Sequence, residues 1–423
     1  MPTNLFKIDH TSSILVGNKR LVHPTKSNKN LGNKMASTPP PLNSVKESNT
    51  VESSEPSNAK NTKASEFKCH QCGAKLTYAP GTESLKCKYC DHQNKIPKSE
   101  KDIQELDFEK FLANTQDDEI TEEKLFIKCT SCGAESTTEE NVTSSNCPFC
   151  DSEIVTTAKT KKLIKPRSLL PFKITRKTAK QSYKDWLKGL WFAPNALIKK
   201  AKLNVAVSGV YVPYWTYDAD TLSYYTGQRG IYYYVTVTRT RTGSDGKQET
   251  YSAQERRTQW YPASGTVTKD FDDVLVVASK SLPRKYMREL EPWDLENLVS
   301  YKDDYLSGFK SESYQINLEQ GFEVGKELMD DQIRVAIRYH IGGDEQIIHS
   351  VSTQHSNISF KHILLPVWIS AYKYKEKVYR FLVNARTGEV QGERPWSWVK
   401  ITLAVIAVSV VIAGGIYLYQ QAQ

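Results

Sequence analysis

Hydrophobic and polar residues alternate along much of residues 205–395. The stretches VAVSGVYVPYWTYDAD and IYYYVTVTRTRT show this two-residue period, which is typical of β-strands with one buried face. One longer segment, LEQGFEVGKELMDDQIRVAIRYH, instead has helical spacing, with Phe322, Ile333 and Ile337 near one face. The pattern therefore predicts a strand-rich α+β body over residues 205–395.

Two segments of this predicted body resemble each other. Residues 212–215 read Val-Pro-Tyr-Trp and residues 365–368 read Leu-Pro-Val-Trp, and each is followed by an aromatic strand and a Thr-Gly turn. The match is compatible with a body of two related halves. Nine aromatic residues lie between Tyr211 and Tyr234, and ordinary strand packing accounts for them better than a stacking platform for nucleic-acid bases.

The last hydrophobic segment shows neither the two-residue period of a strand nor the spacing of a helix with one apolar face. It is apolar throughout, since Ile401 through Tyr419 contains nineteen residues without a charge. A helix of that length spans about 28 Å, close to the thickness of the hydrocarbon core of a bilayer. Tryptophans precede the segment and tyrosines end it, as in the aromatic belts at bilayer surfaces. We therefore predict a transmembrane helix over residues 399–419.

The charges beside this helix predict its orientation. Arg394 and Lys400 lie on the amino-terminal side, whereas the sequence QQAQ on the far side carries no charge. The positive-inside rule therefore predicts a single-pass protein of the cell membrane, with residues 1–398 facing the cytoplasm.

A strongly basic segment precedes the body. Residues 159–202 contain fourteen Lys or Arg and one acid, a local net charge of +13 compared with +9 for the whole chain. Thr175 can cap a helix that begins at Arg176, and PNALIKKAKL predicts a second helix, so we assign a basic helical segment to residues 158–204. The charge fits three alternatives: a solvated face, a site for anionic lipid headgroups, or a site for nucleic-acid phosphates. The candidate anion-binding residues are Arg176, Lys177, Lys180, Lys184, Lys188, Lys199, Lys200 and Lys202.

Two polar segments occupy much of the first 125 residues. Residues 1–65 are rich in Asn, Ser, Thr, Lys and Pro and contain no apolar run long enough for a secretory signal, so we predict a disordered tail, within which Met35 is an alternative start. Residues 98–125 form an acidic linker, with ten acids against three lysines in residues 99–124. We interpret this linker as a solvated spacer or, alternatively, as an intramolecular partner of the basic segment.

The cysteines are confined to one part of the chain. They form two C-x2-C-x14-C-x2-C motifs that are shifted by 60 residues. The ligands that this spacing predicts are Cys69, Cys72, Cys87 and Cys90 in the first motif and Cys129, Cys132, Cys147 and Cys150 in the second. Four thiolates at this spacing are typical of zinc sites, whereas disulfides and an iron or iron–sulfur site are less consistent alternatives.

The two motifs predict small zinc ribbons at residues 66–97 and 126–157, with two Zn²⁺ ions per chain. A unit of about 30 residues is too short to fold on its own core, so the metal would supply its folding free energy. Because four cysteines complete each site, we expect structural rather than catalytic metals. The cytoplasm keeps thiols reduced, which agrees with the predicted orientation.

Composition and motifs exclude several classes of protein. A mean hydropathy of −0.54 excludes a multi-spanning membrane protein. The sequence contains no G-x-x-x-x-G-K-[ST] phosphate loop, no G-x-S-x-G elbow and no H-E-x-x-H helix. His349 and His355 could meet on a hairpin, although surface or packing roles account better for them. We therefore predict a protein that is not an enzyme.

The zinc motifs, together with SLPRKYMRELEPWDLENLV, KGLWFAPNAL and GERPWSWVKI, resemble a family of uncharacterised bacterial proteins with N-terminal zinc ribbons and a C-terminal transmembrane helix. The similarity covers residues from about 66 to 419. Members are often labelled as primosomal protein N-prime, the replication-restart helicase, or as carrying zinc ribbons like those of a transcription initiation factor. The resemblance implies zinc-ribbon folds, but we expect no helicase activity because the phosphate loop is missing.

These observations predict a multidomain protein with a disordered tail, two four-cysteine zinc ribbons, a strand-rich α+β domain and one C-terminal transmembrane helix. The function that they favour is a membrane-anchored cytosolic scaffold or adaptor for a protein partner. The alternative is a membrane-tethered nucleic-acid-binding protein that uses the zinc ribbons and residues 159–202.

Overall fold

The computed structural model describes residues 67–98, 103–113, 121–137, 144–155, 158–195, 206–242, 246–374 and 377–421. All of them belong to one compact unit, Thr62–Gln423. The predicted tail in residues 1–65 and most of the predicted second basic helix lie outside the described residues. Three predicted anion-binding residues also lie outside them: Lys199, Lys200 and Lys202.

The first cysteine module, residues 67–97, is a small antiparallel sheet. Its strands are β1 (Leu76–Tyr78), β2 (Ser84–Cys87) and β3 (Gln93–Lys95). They are too short to enclose a core of their own, so Leu76, Tyr78 and Ile96 are buried in an apolar cluster that also contains residues of the body.

The linker after this module contributes two elements to the body. They are β4 (Leu106–Asp107) and α1 (Phe108–Ala113). The rings of Phe108 and Phe111 are buried and lie 6.3 and 5.2 Å from the ring of Phe360. The interpretation of the linker as a solvated spacer is therefore wrong for these residues, because their aromatic side chains belong to a core of the body.

The second cysteine module, residues 121–155, is continuous with the start of the basic segment. The strands in this region are β5 (Thr121–Lys128), β6 (Glu135–Thr137), β7 (Ser144–Asn146), β8 (Glu153–Val155) and β9 (Ala158–Ile164). β5 pairs with both β6 and β9, and Glu123 lies opposite Lys162. The basic segment thus begins as the strand β9 and not as the predicted helix, because β5 forms backbone hydrogen bonds with β9 along the whole length of β9. The end of the acidic linker is its partner, as the alternative interpretation expects.

The predicted basic helix follows. A short strand, β10 (Ser168–Leu169), precedes α2 (Arg176–Lys188). The prediction of its start is confirmed, because the Thr175 side chain accepts a hydrogen bond from the backbone N–H three residues later, at 3.2 Å. Tyr183 and Leu187 are buried, and the ring of Tyr183 stacks on that of Phe381 at a centroid distance of 3.6 Å. The apolar face of α2 therefore fixes this helix to the body.

Very long strands form the centre of the body. Its strands are β11 (Ser208–Thr242), β12 (Gln248–Val277), β13 (Val299–Ser300), β14 (Lys310–Ser311), β15 (Glu345–Tyr374), β16 (Lys377–Asn384) and β17 (Val390–Gly392). With β4 and β10 they make a nine-stranded sheet whose main path is β12-β11-β15-β10-β13. At about 3.3 Å per residue, β11 extends over about 115 Å. The prediction of a strand-rich body is confirmed.

Helices cover this sheet. They are α3 (Arg284–Glu289) and α4 (Leu318–Ile341), with single 3-10 turns at Leu295–Asn297 and Asp303–Leu306. The predicted apolar face of α4 is buried, including Phe322, Ile333 and Ile337. A Cβ atom at Gly321 would lie 2.4 Å from the hydroxyl oxygen of Tyr217, so glycine lets α4 approach the sheet closely.

The two similar segments of the body lie side by side. Residues 212–215 are on β11 and residues 365–368 are on β15, and Val212 pairs with Leu365. Both segments therefore lie on neighbouring strands of one sheet, and the two related halves stay a prediction.

One end of the long sheet continues as a hairpin of two strands. The pairing between β15 and β11 ends at Gly230, and residues 231–242 and 248–259 project beyond it. We call these residues the arm. Its aromatic side chains reach solvent, since Tyr234 is 64% exposed and Tyr251 is 43% exposed.

The chain ends in the predicted apolar helix, α5 (Trp398–Gln421). It has 24 residues and contains an 18-residue stretch with a mean hydropathy of 2.5, and that stretch is not buried against the rest of the described chain. By length and composition, this helix could anchor the protein in a membrane.

Candidate metal centres

The first module brings four thiols to one place. The Sγ atoms of Cys69 and Cys90 lie 3.6 Å apart, and those of Cys72 and Cys87 lie 3.5 Å apart. All four Sγ atoms lie within 4.8 Å of one another. The first predicted ligand set is therefore a single cluster.

The second module repeats this arrangement. The Sγ atoms of Cys129 and Cys150 lie 3.6 Å apart, those of Cys132 and Cys147 lie 3.7 Å apart, and all four lie within 4.8 Å of one another. The two sequence motifs thus produce two groups with nearly the same internal geometry.

The turns around the cysteines explain this convergence. The Gly73 N–H donates to the carbonyl of Cys69 at 2.8 Å, and the glycine after each first cysteine pair has a positive φ, +71° at Gly73 and +75° at Gly133. The residue after each second cysteine pair also has a positive φ, 57° at Asp91 and 61° at Asp151. Aspartate tolerates this left-handed conformation better than most side chains do.

The sulfur geometry fits a tetrahedral metal ion. A zinc–sulfur bond of about 2.3 Å implies sulfur–sulfur distances of about 3.8 Å in a regular tetrahedron. The four pairs given above are separated by 3.5, 3.6, 3.6 and 3.7 Å. A disulfide requires about 2.0 Å, so the disulfide alternative does not fit. Each group could therefore hold one metal ion.

Hydrogen bonds within the groups favour thiolates. The pKa of Cys87 is lowered to about 6, chiefly because the backbone N–H of Cys90 donates to its sulfur. The pKa of Cys132 is lowered to about 5, chiefly by the neighbouring thiol of Cys147, whose own pKa is raised in turn. A thiolate is the form that binds metal, so each group contains at least one cysteine that is prepared to bind an ion near neutral pH, while the pKa values of the neighbouring Cys90 and Cys147 are raised.

Both groups belong to the cores of the body. Cys69 and Cys87 share an apolar cluster with Tyr211 and other body residues. The second group shares another cluster with Val212 and Ile363. The modules are therefore not separate small domains on a string, because the side chains around each metal position also pack the long sheet.

One segment of the body contacts both modules. We call residues 307–315 the bridging segment. At one end, the Ser307 hydroxyl donates to the carbonyl of Leu76 at 2.7 Å. At the other end, the Gln315 amide donates to the carbonyl of Gly133 at 3.4 Å. Sequence reasoning missed this segment, because its polar residues show no pattern that predicts contacts with cysteine modules more than 150 positions earlier in the chain.

The described members of the predicted anion-binding set lie on α2. Lys177, Lys184 and Lys188 are exposed along one side of the helix. The guanidinium of Arg176 lies 5.8 Å from the ring centre of Trp368. The remaining described member, Lys180, is half-buried. These residues form a basic helix surface and are not brought together around one point.

A third group of acidic side chains was not predicted. Glu105 and Asp218 lie close to Asp272 at the join between the linker and the sheet. The Nζ atom of Lys361 lies 2.9 Å from Glu105 of this group and 2.7 Å from the adjacent Asp273, so a lysine compensates part of the acidic charge. Hydrogen bonding to Asp218 lowers the pKa of Glu105 to about 2, and burial raises the pKa of Asp218 to about 6. We interpret the group as an ion-pair network.

An open cleft of about 690 Å³ lies beside α4. Its polar lining includes Arg288, Glu323, Lys326, Asp330, Thr353 and His355. His349 and His355 lie on the same continuous strand, β15, about 20 Å apart at its usual rise per residue. The expectation that these histidines could meet on a hairpin is therefore wrong.

The fold and its two cysteine groups define a strand-rich protein with two potential metal centres and one apolar C-terminal helix. The chain is similar to the uncharacterized protein YdjG of Bacillus subtilis (strain 168), with 26% identity over 363 residues that cover 82% of this chain and 98% of that protein. No protein-family model and no solved structure matches the chain. The relative carries neither a primosomal nor a transcription-factor name.

Proposed function

We propose that this chain is a non-enzymatic, membrane-anchored zinc protein whose arm binds a protein partner at the cytoplasmic face of the cell membrane. The single observation that carries this proposal is the exposed arm, which ends a rigid sheet that both cysteine modules help to pack. Zinc is the metal that four thiolates in this geometry favour. The charges of Arg394 and Lys400 support the cytoplasmic orientation.

The composition of the arm is typical of protein-binding surfaces. Tyrosine and arginine are enriched among the residues that dominate binding energy at protein interfaces. On the arm, Tyr233 is 41% exposed and Tyr234 is 64% exposed. Their direct neighbours across the hairpin are Arg257 and Arg256. The arm therefore presents a row of large aromatic and planar cationic groups to solvent.

The root of the arm is held in place before any partner binds. The backbone N–H of Tyr232 donates to Asp344 at 2.7 Å, and its hydroxyl donates to Glu345 at 2.7 Å. The Arg256 guanidinium lies 4.2 Å from the ring centre of Tyr232. A two-stranded hairpin is only marginally stable by itself in water, so these contacts and a partner would both stabilise the arm.

Cross-linked co-purification of the full-length protein tests the proposal. We expect a reproducible protein that wild type retains and Tyr234→Ala/Tyr251→Ala loses. Tyr339→Ala is the matched control, because Tyr339 is 84% exposed on α4 and lies outside the arm. Equal recovery by wild type and the arm variant would contradict the proposal.

Nucleic acid is the second candidate, because a two-stranded ribbon fits the major groove of DNA. The arm carries Arg239, Arg241 and Arg257, but each lies within 3.4 Å of a glutamate, Glu249 or Glu255. With Arg256, the arm carries four arginines against two glutamates, so this pairing reduces but does not remove the positive charge that phosphates could meet. Binding of the full chain to DNA or RNA that weakens steeply with salt would favour this candidate over the protein partner.

Metal analysis of the purified full chain tests the zinc assignment separately. We expect about two zinc ions per chain, one for each group of four thiols. Stoichiometric iron instead of zinc would support the iron alternative, and one ion or none would contradict two structural zinc sites.

A further inference from the structure

The loop after α2 lies against the first turn of α5. The backbone N–H of Ser397 donates to the carbonyl of Phe192 at 2.7 Å. The Lys400 ammonium donates to the carbonyls of Trp191 at 3.1 Å and Ala193 at 2.9 Å. Three hydrogen bonds thus join residues 191–193 to the place where the charge-free run of α5 begins.

These contacts fix the depth of the loop relative to the apolar helix. Residues within hydrogen-bond distance of Lys400 lie at the boundary between the polar chain and the segment that fits a hydrocarbon core. Tryptophan and tyrosine are enriched at that boundary in membrane proteins. A large aromatic side chain that is exposed at this level would therefore meet lipid and not bulk water.

Four large aromatic side chains are exposed there. Trp191 is 82% exposed and Phe192 is 40% exposed, while Trp396 and Trp398 are 53% and 78% exposed. The rings of Phe192 and Trp396 lie 6.4 Å apart, so aromatic groups from two distant parts of the chain form one patch. Exposed apolar patches of this kind mark contact surfaces.

The basic side of α2 ends at this patch. Lys184 and Lys188 are exposed in its last two turns, and Asp185, the one acid in the sequence of residues 159–202, lies 2.6 Å from Lys188. Buried Leu187 and Leu190 hold this end of the helix on the body, so the lysines cannot swing away with a loose segment. Fixed cations beside interfacial aromatic residues match an anionic bilayer surface.

We propose that the body lies on the same membrane that holds α5, with Trp191 and Phe192 inserted at the headgroup level and Lys184 and Lys188 against anionic phospholipid headgroups. The inference rests on the proposed membrane anchor. Its consequence is that the body is attached to the bilayer at two places, through α5 and through the end of α2. Its orientation on the membrane is therefore defined and not free to rotate about one flexible connection.

Fluorescence quenching in nanodiscs tests this inference on the full-length protein. Discs are made with lipids brominated along their acyl chains, either as phosphatidylcholine alone or with 30% phosphatidylglycerol. We compare wild type with Trp191→Phe, Trp398→Phe and Trp260→Phe. The last variant is the control, because Trp260 lies on β12 near the root of the arm.

Three interfacial tryptophans, Trp191, Trp396 and Trp398, would share the lipid-quenched part of the tryptophan emission. We therefore expect this quenched part to fall by about one third in Trp191→Phe and in Trp398→Phe. Trp260→Phe should leave that part unchanged. Loss in Trp398→Phe without loss in Trp191→Phe would overturn this inference and leave the anchor intact. No lipid quenching in wild type, or failure to enter discs, would contradict the anchor itself.

The charge component has its own control. Phosphatidylglycerol should increase the quenching that depends on Trp191, and Lys184→Gln/Lys188→Gln should abolish this increase. Arg239→Gln/Arg241→Gln removes two charges from the arm and should preserve the increase. Equal quenching in the two lipid mixtures would overturn the proposed contact with anionic headgroups.

Discussion

The two cysteine modules have the same ligand spacing and the same turns, yet they differ in their surroundings. In the first group, Cys72 is exposed and Cys90 is half-buried. In the second group, Cys129, Cys147 and Cys150 are all buried. The local sequence defines the geometry of the metal position in both, whereas contacts with the body determine how much of the fold depends on it. We therefore expect loss of the second metal to be the more damaging.

The largest expected effect is that of Cys147→Ser. This change removes one ligand from the buried group and leaves three thiols that pack against the body without their metal. We expect one metal ion per chain instead of two, and a loss of at least about 3 kcal/mol in the free energy of unfolding. Metal analysis and urea unfolding in detergent, followed by tryptophan emission, measure both quantities. A variant with one metal and wild-type stability would refute a structural role for the second site.

The matched change in the first module is Cys72→Ser. It also removes one metal, but the exposed position of Cys72 lets water reach the vacated site. The same two measurements should give one metal per chain and a smaller loss of stability than Cys147→Ser. An equal loss in the free energy of unfolding of the two variants would show that the difference in burial between the modules does not affect stability.

A pH effect is expected on the side of the second module. His362 is fully packed between Trp215 and Tyr314, and one of its ring nitrogens lies 2.8 Å from the carbonyl of Ile164, at the end of β9. Burial lowers the pKa of His362 to about 4 from 6.5. The unfolded chain therefore binds a proton between pH 6.5 and 4 that the folded chain does not, and stability falls as the pH falls through this window.

The comparison of wild type with His362→Phe isolates this effect, because protonation of the cysteines is common to both proteins. Between pH 6.5 and 5, wild type should lose about 1.6 kcal/mol more than the variant. Urea midpoints measured at both pH values give the difference. Parallel losses in the two proteins would show that His362 does not titrate as the structure implies.

The smallest expected effects are those of the bridging segment. Ser307→Ala removes the hydrogen bond to Leu76 of the first module, and Gln315→Ala removes the one to Gly133 of the second together with those to Lys280 and Ser281. Each should cost about 1 kcal/mol of stability without loss of metal. Thermal unfolding with metal analysis tests both variants, and release of metal from either one would show that the segment also holds the ligands in place.

Local signals in the sequence were sufficient for several elements. The cysteine spacing predicts both ligand groups, Thr175 predicts the start of α2, and the charge-free run that begins at Ile401 predicts α5. Each of these three features is determined by residues that lie close together in the sequence, within one short motif or a few helical turns.

Non-local contacts could not be predicted in this way. The Ser307 hydroxyl bonds to a carbonyl 231 positions away, and Lys400 bonds to one 209 positions away. The length of β11 and the register between Val212 and Leu365 depend on which strands become neighbours, which the alternation of residues leaves open. β9 was predicted as part of a helical segment because its pairing with β5 is not visible in its own sequence.

Hydrogen–deuterium exchange of the full-length protein, before and after metal removal, tests most directly whether the metals hold the body together. We expect metal removal to increase the exchange of amides beyond the two modules, in the bridging segment and in the part of β11 around Tyr211 and Val212. Loss of protection confined to residues 67–97 and 121–155 would contradict this expectation.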